Sequence, residues 1–84
     1  MTQSAAPLVV KRSFIVDGRK TSVSLEAPFW HAVQAIASKY GTTAAALVTA
    51  VNATRGEANL SSALRVYVLE YYQAIAEPAD DDKA

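Results

Sequence analysis

Three polar side chains at alternate positions, Lys20, Ser22 and Ser24, are the residues of this chain best suited to bind a ligand. They lie within residues 20–25, where polar and less polar residues alternate, and this period of two predicts a strand with one buried face. A lysine ammonium and two serine hydroxyls on the other face can donate hydrogen bonds to a polar or anionic ligand. The alternative is that they form an ordinary solvated sheet face.

Side chains suited to catalysis or metal binding are scarce among the 84 residues. The chain has no cysteine, which excludes disulfides and thiolate metal sites. Its single histidine, His31, has no acidic or metal-ligating motif beside it and is expected at the surface. The sequence has no carboxylate pair at a useful spacing, no glycine-rich phosphate loop and no nucleophile next to a base. We therefore expect a protein that is not an enzyme and that binds no metal or cofactor.

The charged residues are distributed unevenly, although the formal net charge is zero. Residues 11–20 contain half of the basic residues, and residues 77–84 contain half of the acidic ones. Residues 1–76 therefore carry seven basic and four acidic side chains, a net charge of +3. The cluster of Lys11, Arg12 and Arg19 permits contact with an anionic partner. It is equally compatible with basic residues that protect a sheet edge from unwanted pairing.

A β-hairpin is predicted ahead of the helices. Residues 11–16 are rich in β-branched and aromatic side chains, and the Asp-Gly dipeptide at 17–18 favours a type I′ turn. A loop of two residues pairs Val16 with Arg19, whereas a loop of four residues pairs it with Thr21. Both registers bury the same faces of the two strands. A three-residue loop would bury the opposite face of the first strand.

The helical spacing of apolar residues predicts three helices after the hairpin, over about 27–40, 43–54 and 61–76. Pro28 suits the first turn of the first helix, and Gly41 suits its C-terminal cap. Thr42 and Thr43 are candidate N-caps of the second helix.

The third helix is expected to begin with Ser61 or Ser62 as its N-cap and Leu60 as a hydrophobic staple. Its predicted buried stripe is Leu60, Leu64, Tyr67, Val68, Tyr71 and Ile75. Trp30 lies off the main apolar stripe of the first helix, so we expect it to pack at a subunit interface or against the third helix.

The fold class that follows is α+β, mainly α. One domain over 10–76 lies between a flexible arm at 1–9 and an acidic, disordered tail at 77–84. An isolated two-stranded hairpin is marginally stable, and it leaves one edge of the second strand unpaired. Antiparallel pairing of that edge with its copy in a second subunit would satisfy the edge.

The region from residue 20 to about residue 54 resembles the ribbon-helix-helix family of bacterial DNA-binding proteins. The resemblance rests on the alternating strand, on Glu26-Ala27-Pro28 at the start of the first helix, and on Gly41-Thr42-Thr43 between helices. Two longer segments narrow the resemblance to a subfamily of small uncharacterised proteobacterial proteins with an added strand and a third helix. These are Arg-Lys-Thr-Ser-Val-Ser-Leu-Glu, followed by Phe-Trp, and Asn-Leu-Ser-Ser-Ala-Leu-Arg-Val-Tyr-Val-Leu-Glu-Tyr-Tyr.

The resemblance implies a homodimer, or a higher assembly, that inserts a β-ribbon into the major groove of double-stranded DNA. The implied base-contacting residues are Lys20, Ser22 and Ser24. The candidate phosphate-contacting residues are Lys11, Arg12, Arg19, Thr42, Thr43 and Ala44. The expected dimer core is Thr21, Val23, Leu25, Phe29, Val33, Ile36, Leu47, Val48 and Val51.

The function expected from this resemblance is sequence-specific DNA binding in transcription regulation. The alternative is a protein-interaction module, such as an antitoxin or adaptor, that uses the ribbon-helix-helix dimer and the third helix. A small effector bound between helices is a third option. No apolar stretch approaches the length of a membrane span and the N-terminus lacks signal-peptide features, so a cytoplasmic protein without membrane contact is expected.

Overall fold

A computed structural model describes residues 8–76, in which an antiparallel hairpin precedes three helices. The elements are β1 (Val9–Val16), β2 (Arg19–Glu26), α1 (Ala27–Lys39), α2 (Ala44–Thr54) and α3 (Leu60–Ala76). The α+β, mainly α fold is thus confirmed, with element boundaries within two residues of the predicted ones. Val9, which was assigned to the arm, begins β1. The rest of the predicted arm, except Leu8, and the predicted acidic tail lie outside the described residues.

The turn of the hairpin is the two-residue loop that the Asp-Gly dipeptide favours. Val16 pairs with Arg19, which excludes the longer loops. Asp17 and Gly18 have φ angles of 54° and 77°, and positive φ at both central positions is the signature of a type I′ turn. This turn fixes the register, and therefore decides which face of each strand is buried.

The three helices cover one face of the hairpin, and the core lies between them. Val23 from β2, Val33 from α1, Val48 from α2 and Leu64 from α3 are each 0% exposed. Val16 adds the end of β1 to the same cluster. A single chain therefore already buries these core residues, and burial of apolar area is the main favourable term in folding.

Trp30 packs beneath β1, so the expected position at a subunit interface or against α3 is wrong. Its side chain is 2% exposed, and the indole Nε1–H donates to the Val10 carbonyl oxygen at 2.8 Å. The Phe14 ring lies 5.7 Å away, centroid to centroid. The added strand gives the indole both a cover and a hydrogen-bond acceptor, which a buried tryptophan needs.

Asn59 caps α3, rather than Ser61 or Ser62. The Asn59 Oδ1 atom accepts from the Ser62 amide at 3.2 Å, so the Ser61 hydroxyl is free to bind elsewhere. The other end of the helix also differs from expectation, because Ile75 is 59% exposed and does not continue the buried stripe. The cause is that α3 extends past the elements against which it packs.

Candidate nucleic-acid interface

The face of the hairpin opposite the helices, called here the outward face, is not covered by any part of residues 8–76. Cross-strand partners share a face of a sheet, and the pairs on this face include Lys11 with Ser24 and Ser13 with Ser22. Lys20 also lies on it, opposite Ile15. All of these residues are exposed except Ser24, which is half-buried. The three predicted base-contacting residues are therefore brought together on one accessible surface.

The basic residues of the hairpin divide into two groups. Lys11 and Lys20 lie on the outward face, and neither has a carboxylate within ion-pair distance among residues 8–76. Arg12 and Arg19 pair with residues of the inward series. The Arg12 guanidinium carbon lies 5.4 Å from the centroid of the Trp30 ring, so a cation–π contact holds this side chain at the strand.

The backbone of β2 presents one edge to β1 and the other edge away from it. The Ala27 amide donates to the Leu8 carbonyl oxygen at 3.1 Å, in continuation of the hairpin register. Hydrogen-bonding direction alternates along an antiparallel strand. The odd-numbered residues of β2 therefore bond to β1, and Lys20, Ser22 and Ser24 direct their backbone groups to the second edge, called here the free edge.

The start of α2 has the local geometry of a helix N-terminus that can accept an anion. Thr43 is the N-cap, and its Oγ1 accepts from the Ala46 amide at 3.1 Å. The Thr42 amide donates to the Ala37 carbonyl oxygen at 2.9 Å, so it is not available to a ligand. The Ala44 amide lies in the first helical turn, where α-helices leave amides without partners within the helix. Of the three predicted phosphate contacts here, Thr43 and Ala44 have the better geometry.

The predicted dimer-core residues differ in how far a single chain covers them. Seven are buried within one chain: Val23, Leu25, Val33, Ile36, Leu47, Val48 and Val51. Thr21 and Phe29 are only half-buried. A second subunit is therefore not needed to bury most of these residues. That they form the core of a dimer stays a prediction.

One surface of α3 was missed by the sequence reasoning. Val66 and Leu69 are 51% and 54% exposed. Together with Phe29 and Tyr72 they line a shallow groove that is almost entirely apolar. The signal in the sequence is that α3 has apolar residues, such as Val66 and Leu69, beyond the single stripe that its packing buries. An exposed apolar surface of this kind marks a candidate contact site for another molecule.

An ion pair joins α3 to the end of β2. Arg65 Nε lies 2.9 Å from Glu26 Oε1, and Arg65 Nη2 lies 3.3 Å from Oε2. These hydrogen bonds hold the pKa of the Glu26 carboxyl below its ordinary value. The sequence did not predict this pairing, because 39 positions separate the two residues.

No helix within residues 8–76 combines the length and the apolar character that crossing a membrane requires.

Comparison with known proteins identifies a family and a similar solved structure. The family described as ribbon-helix-helix domain matches residues 9–72. The structure of an uncharacterised protein from Bordetella pertussis Tohama I is similar to this chain, with a TM-score of 0.75 and 37% sequence identity. The match covers 87% of this chain and 65% of that protein, so this chain spans about two thirds of its length. No curated protein sequence matches the chain.

Proposed function

The chain belongs to the ribbon-helix-helix domain family, and we propose that it is a homodimeric, sequence-specific DNA-binding protein that regulates transcription. The observation that carries the proposal is the uncovered outward face of the hairpin. All three helices pack on the other face, and exposed Lys20 and Ser22 stand next to each other in the same series. Polar side chains on an accessible ribbon can reach base edges.

The proposed contacts follow from the chemistry of the outward face. The Lys20 ammonium donates to guanine O6 or N7 in the major groove, and the hydroxyls of Ser22 and Ser24 donate or accept and discriminate more weakly between bases. The groove is wide enough for a two-stranded ribbon. A dimer would present two copies of β2, and therefore two Lys20 side chains.

Phosphate contacts supply most of the sequence-independent affinity. Lys11 stands on the outward face without an ion-pair partner within residues 8–76 and suits this role. Arg19, exposed beside the turn, suits it as well. The N-terminus of α2 at Thr43 and Ala44 offers amides that have no acceptor within residues 8–76, together with the partial positive charge of a helix end. Arg12 contributes less because it is engaged with Trp30.

The test is binding of the wild-type chain to genomic DNA fragments at several salt concentrations. We expect binding at low ionic strength that weakens as salt rises, since counterion release accompanies phosphate contact. Lys20→Ala should weaken binding to a selected fragment about tenfold or more and relax base preference. Ser22→Ala should have a smaller effect.

Two variants serve as controls for that experiment. Lys20→Arg keeps the charge and the donor capacity, so it should retain most of the affinity. Gln73→Ala changes an exposed polar residue near the far end of α3 and should leave binding unchanged. Absence of salt-dependent binding by the wild-type chain would contradict the proposal.

A second candidate function is a protein-interaction module, such as an antitoxin or adaptor. It is favoured by the apolar groove, which is lined by Phe29, Val66, Leu69 and Tyr72. The DNA contacts proposed for the hairpin do not involve this surface, so it is available to a protein partner. Co-purification from native lysate tests this function. A stoichiometric partner that is lost with Leu69→Lys would support it, whereas recovery of self-associated chain alone would count against it.

A further inference from the structure

The free edge of β2 is blocked at one end by α3. The Ser24 amide donates to Ser61 Oγ at 3.1 Å, and Arg65 Nη2 donates to the Ser24 carbonyl oxygen at 3.5 Å. Arg65 is held in this position by its hydrogen bonds to Glu26. Ser61 and Arg65, called here the edge block, therefore occupy both backbone groups that Ser24 directs to the free edge.

The remaining part of the free edge is open. Within residues 8–76, no protein group bonds the edge-facing amides and carbonyls of Lys20 and Ser22. Unpaired strand edges bind other strands readily, and a strand related by a two-fold axis is a self-complementary partner. The occupant that fits this short, open segment is the same segment of a second copy of the chain.

We propose that a second copy pairs antiparallel with this edge about a two-fold axis at Thr21, and that the edge block sets this register. The inference rests on the homodimer of the proposed function and specifies its interface. With the axis at Thr21, the backbone groups of Lys20 bond to those of the partner's Ser22, and all of these groups are open. The partner's hairpin turn then ends beside Ser24, where the edge block stands.

The neighbouring registers are each disfavoured. An axis at Lys20 uses open backbone groups but sets the two Lys20 side chains directly opposite each other, and like charges at directly opposite positions are destabilising. An axis at Ser22 pairs Lys20 with the partner's Ser24, whose amide and carbonyl are held by the edge block. An axis at Val23 pairs Ser22 with the partner's Ser24 and meets the same obstacle.

Burial independently favours an axis at Thr21 over an axis at Val23. Residues on a two-fold axis face their own copies and bury each other's remaining surface. Thr21 is half-buried in the single chain, so it has surface left for such a contact. Val23 is 0% exposed and has none.

Cysteine cross-linking measures the register directly, because the chain has no native cysteine. Thr21→Cys, Ser22→Cys and Val23→Cys are made singly in the full chain and oxidised with copper phenanthroline. Only a residue on the axis faces its own copy across the ribbon at disulfide distance. We expect the disulfide dimer to form several-fold more with Thr21→Cys than with either of the other two, as measured on non-reducing gels.

The role of the edge block is tested by removing it. Ser61→Ala with Arg65→Met frees the backbone of Ser24, so cross-linking of Ser22→Cys should rise several-fold relative to Thr21→Cys. Circular dichroism shows whether each variant is folded, and Gln73→Ala in the same cysteine backgrounds is the control that should leave the ratio unchanged.

The outcomes separate this inference from the proposed function. Preferential cross-linking at Ser22 or Val23 in the otherwise native chain would overturn the register, and DNA binding by the wild-type chain would leave the function standing. A ratio that is unaffected by loss of the edge block would overturn its role. A monomer by analytical ultracentrifugation, with no cross-linking at any position, would overturn both the interface and the homodimer.

Discussion

The two faces of the hairpin are made from the same two strands but differ in how far their side chains are buried. On the inward face, Val16, Val23 and Leu25 are at most 3% exposed. On the outward face, Lys20 and Ser22 are exposed and Ile15 is 68% exposed. The difference arises because the helices all pack on one side, and alternation along each strand then assigns every residue to one face or the other. The core is therefore built from one series of positions, whereas residues 8–76 leave the other series mostly exposed.

The clearest way to break this comparison is to place a charge on each face in turn. Val23→Asp buries an unpaired carboxylate in the core and should cost more than about 4 kcal/mol. Because small domains have a total stability of roughly 5–15 kcal/mol, this cost removes a large share of it, and a thermal melt by circular dichroism should show a much lower Tm. Ser22→Asp, one residue away on the outward face, is the matched control and should change stability by less than about 0.5 kcal/mol. Equal stability of the two variants would contradict the assignment of faces.

A smaller effect is expected from the indole that supports β1 from the inward side. Trp30→Phe removes the hydrogen bond to the Val10 carbonyl oxygen and some packing, at a cost of about 1–3 kcal/mol. A thermal melt should show Tm lowered by roughly 5–15 °C. His31→Ala, at the adjacent exposed position, should leave Tm nearly unchanged. An unchanged Tm in Trp30→Phe would mean that β1 is not held by this contact.

The smallest stability effect concerns the ion pair between Glu26 and Arg65. The pKa of Glu26 is lowered in the folded chain, so the pair contributes stability that is fully present above the ordinary glutamate pKa of about 4.3 and is lost as the pH falls through the lowered value. The Tm difference between wild type and Glu26→Gln should therefore shrink between pH 7 and pH 3. Glu57→Gln, in the loop before α3, is the control for a general effect of charge. A difference for Glu26→Gln that is constant with pH would contradict the ion pair.

The parts of the fold that the sequence predicted depend on local signals. The Asp17-Gly18 turn was predictable because the dipeptide itself accepts positive φ. The helix boundaries were predictable to within one residue, because Pro28, Gly41 and Thr43 act on the backbone next to them. The alternation in residues 20–25 predicted the inward and outward faces, because successive side chains of a strand point to opposite faces.

The parts that were not predicted depend on contacts between distant residues. Trp30 packs under β1 because the hairpin folds back over α1, and nothing near Trp30 encodes that arrangement. Ser61 was predicted as a helix cap, but its hydroxyl instead accepts a hydrogen bond from the amide of Ser24, 37 positions away. The groove beside Phe29 likewise exists only once α3 lies against α1. Sequence alone therefore located the candidate base-contacting face better than it located the contacts at the free edge.

The most direct test of the account is to map DNA contact onto the two faces by NMR. An isotope-labelled wild-type chain is titrated with a duplex taken from a bound genomic fragment, and backbone amide shifts are followed residue by residue. The account predicts the largest shifts at Ser13, Lys20 and Ser22, with small shifts at Val66 and Leu69 on α3. Shifts concentrated on α3, with the outward face of the hairpin unchanged, would contradict it.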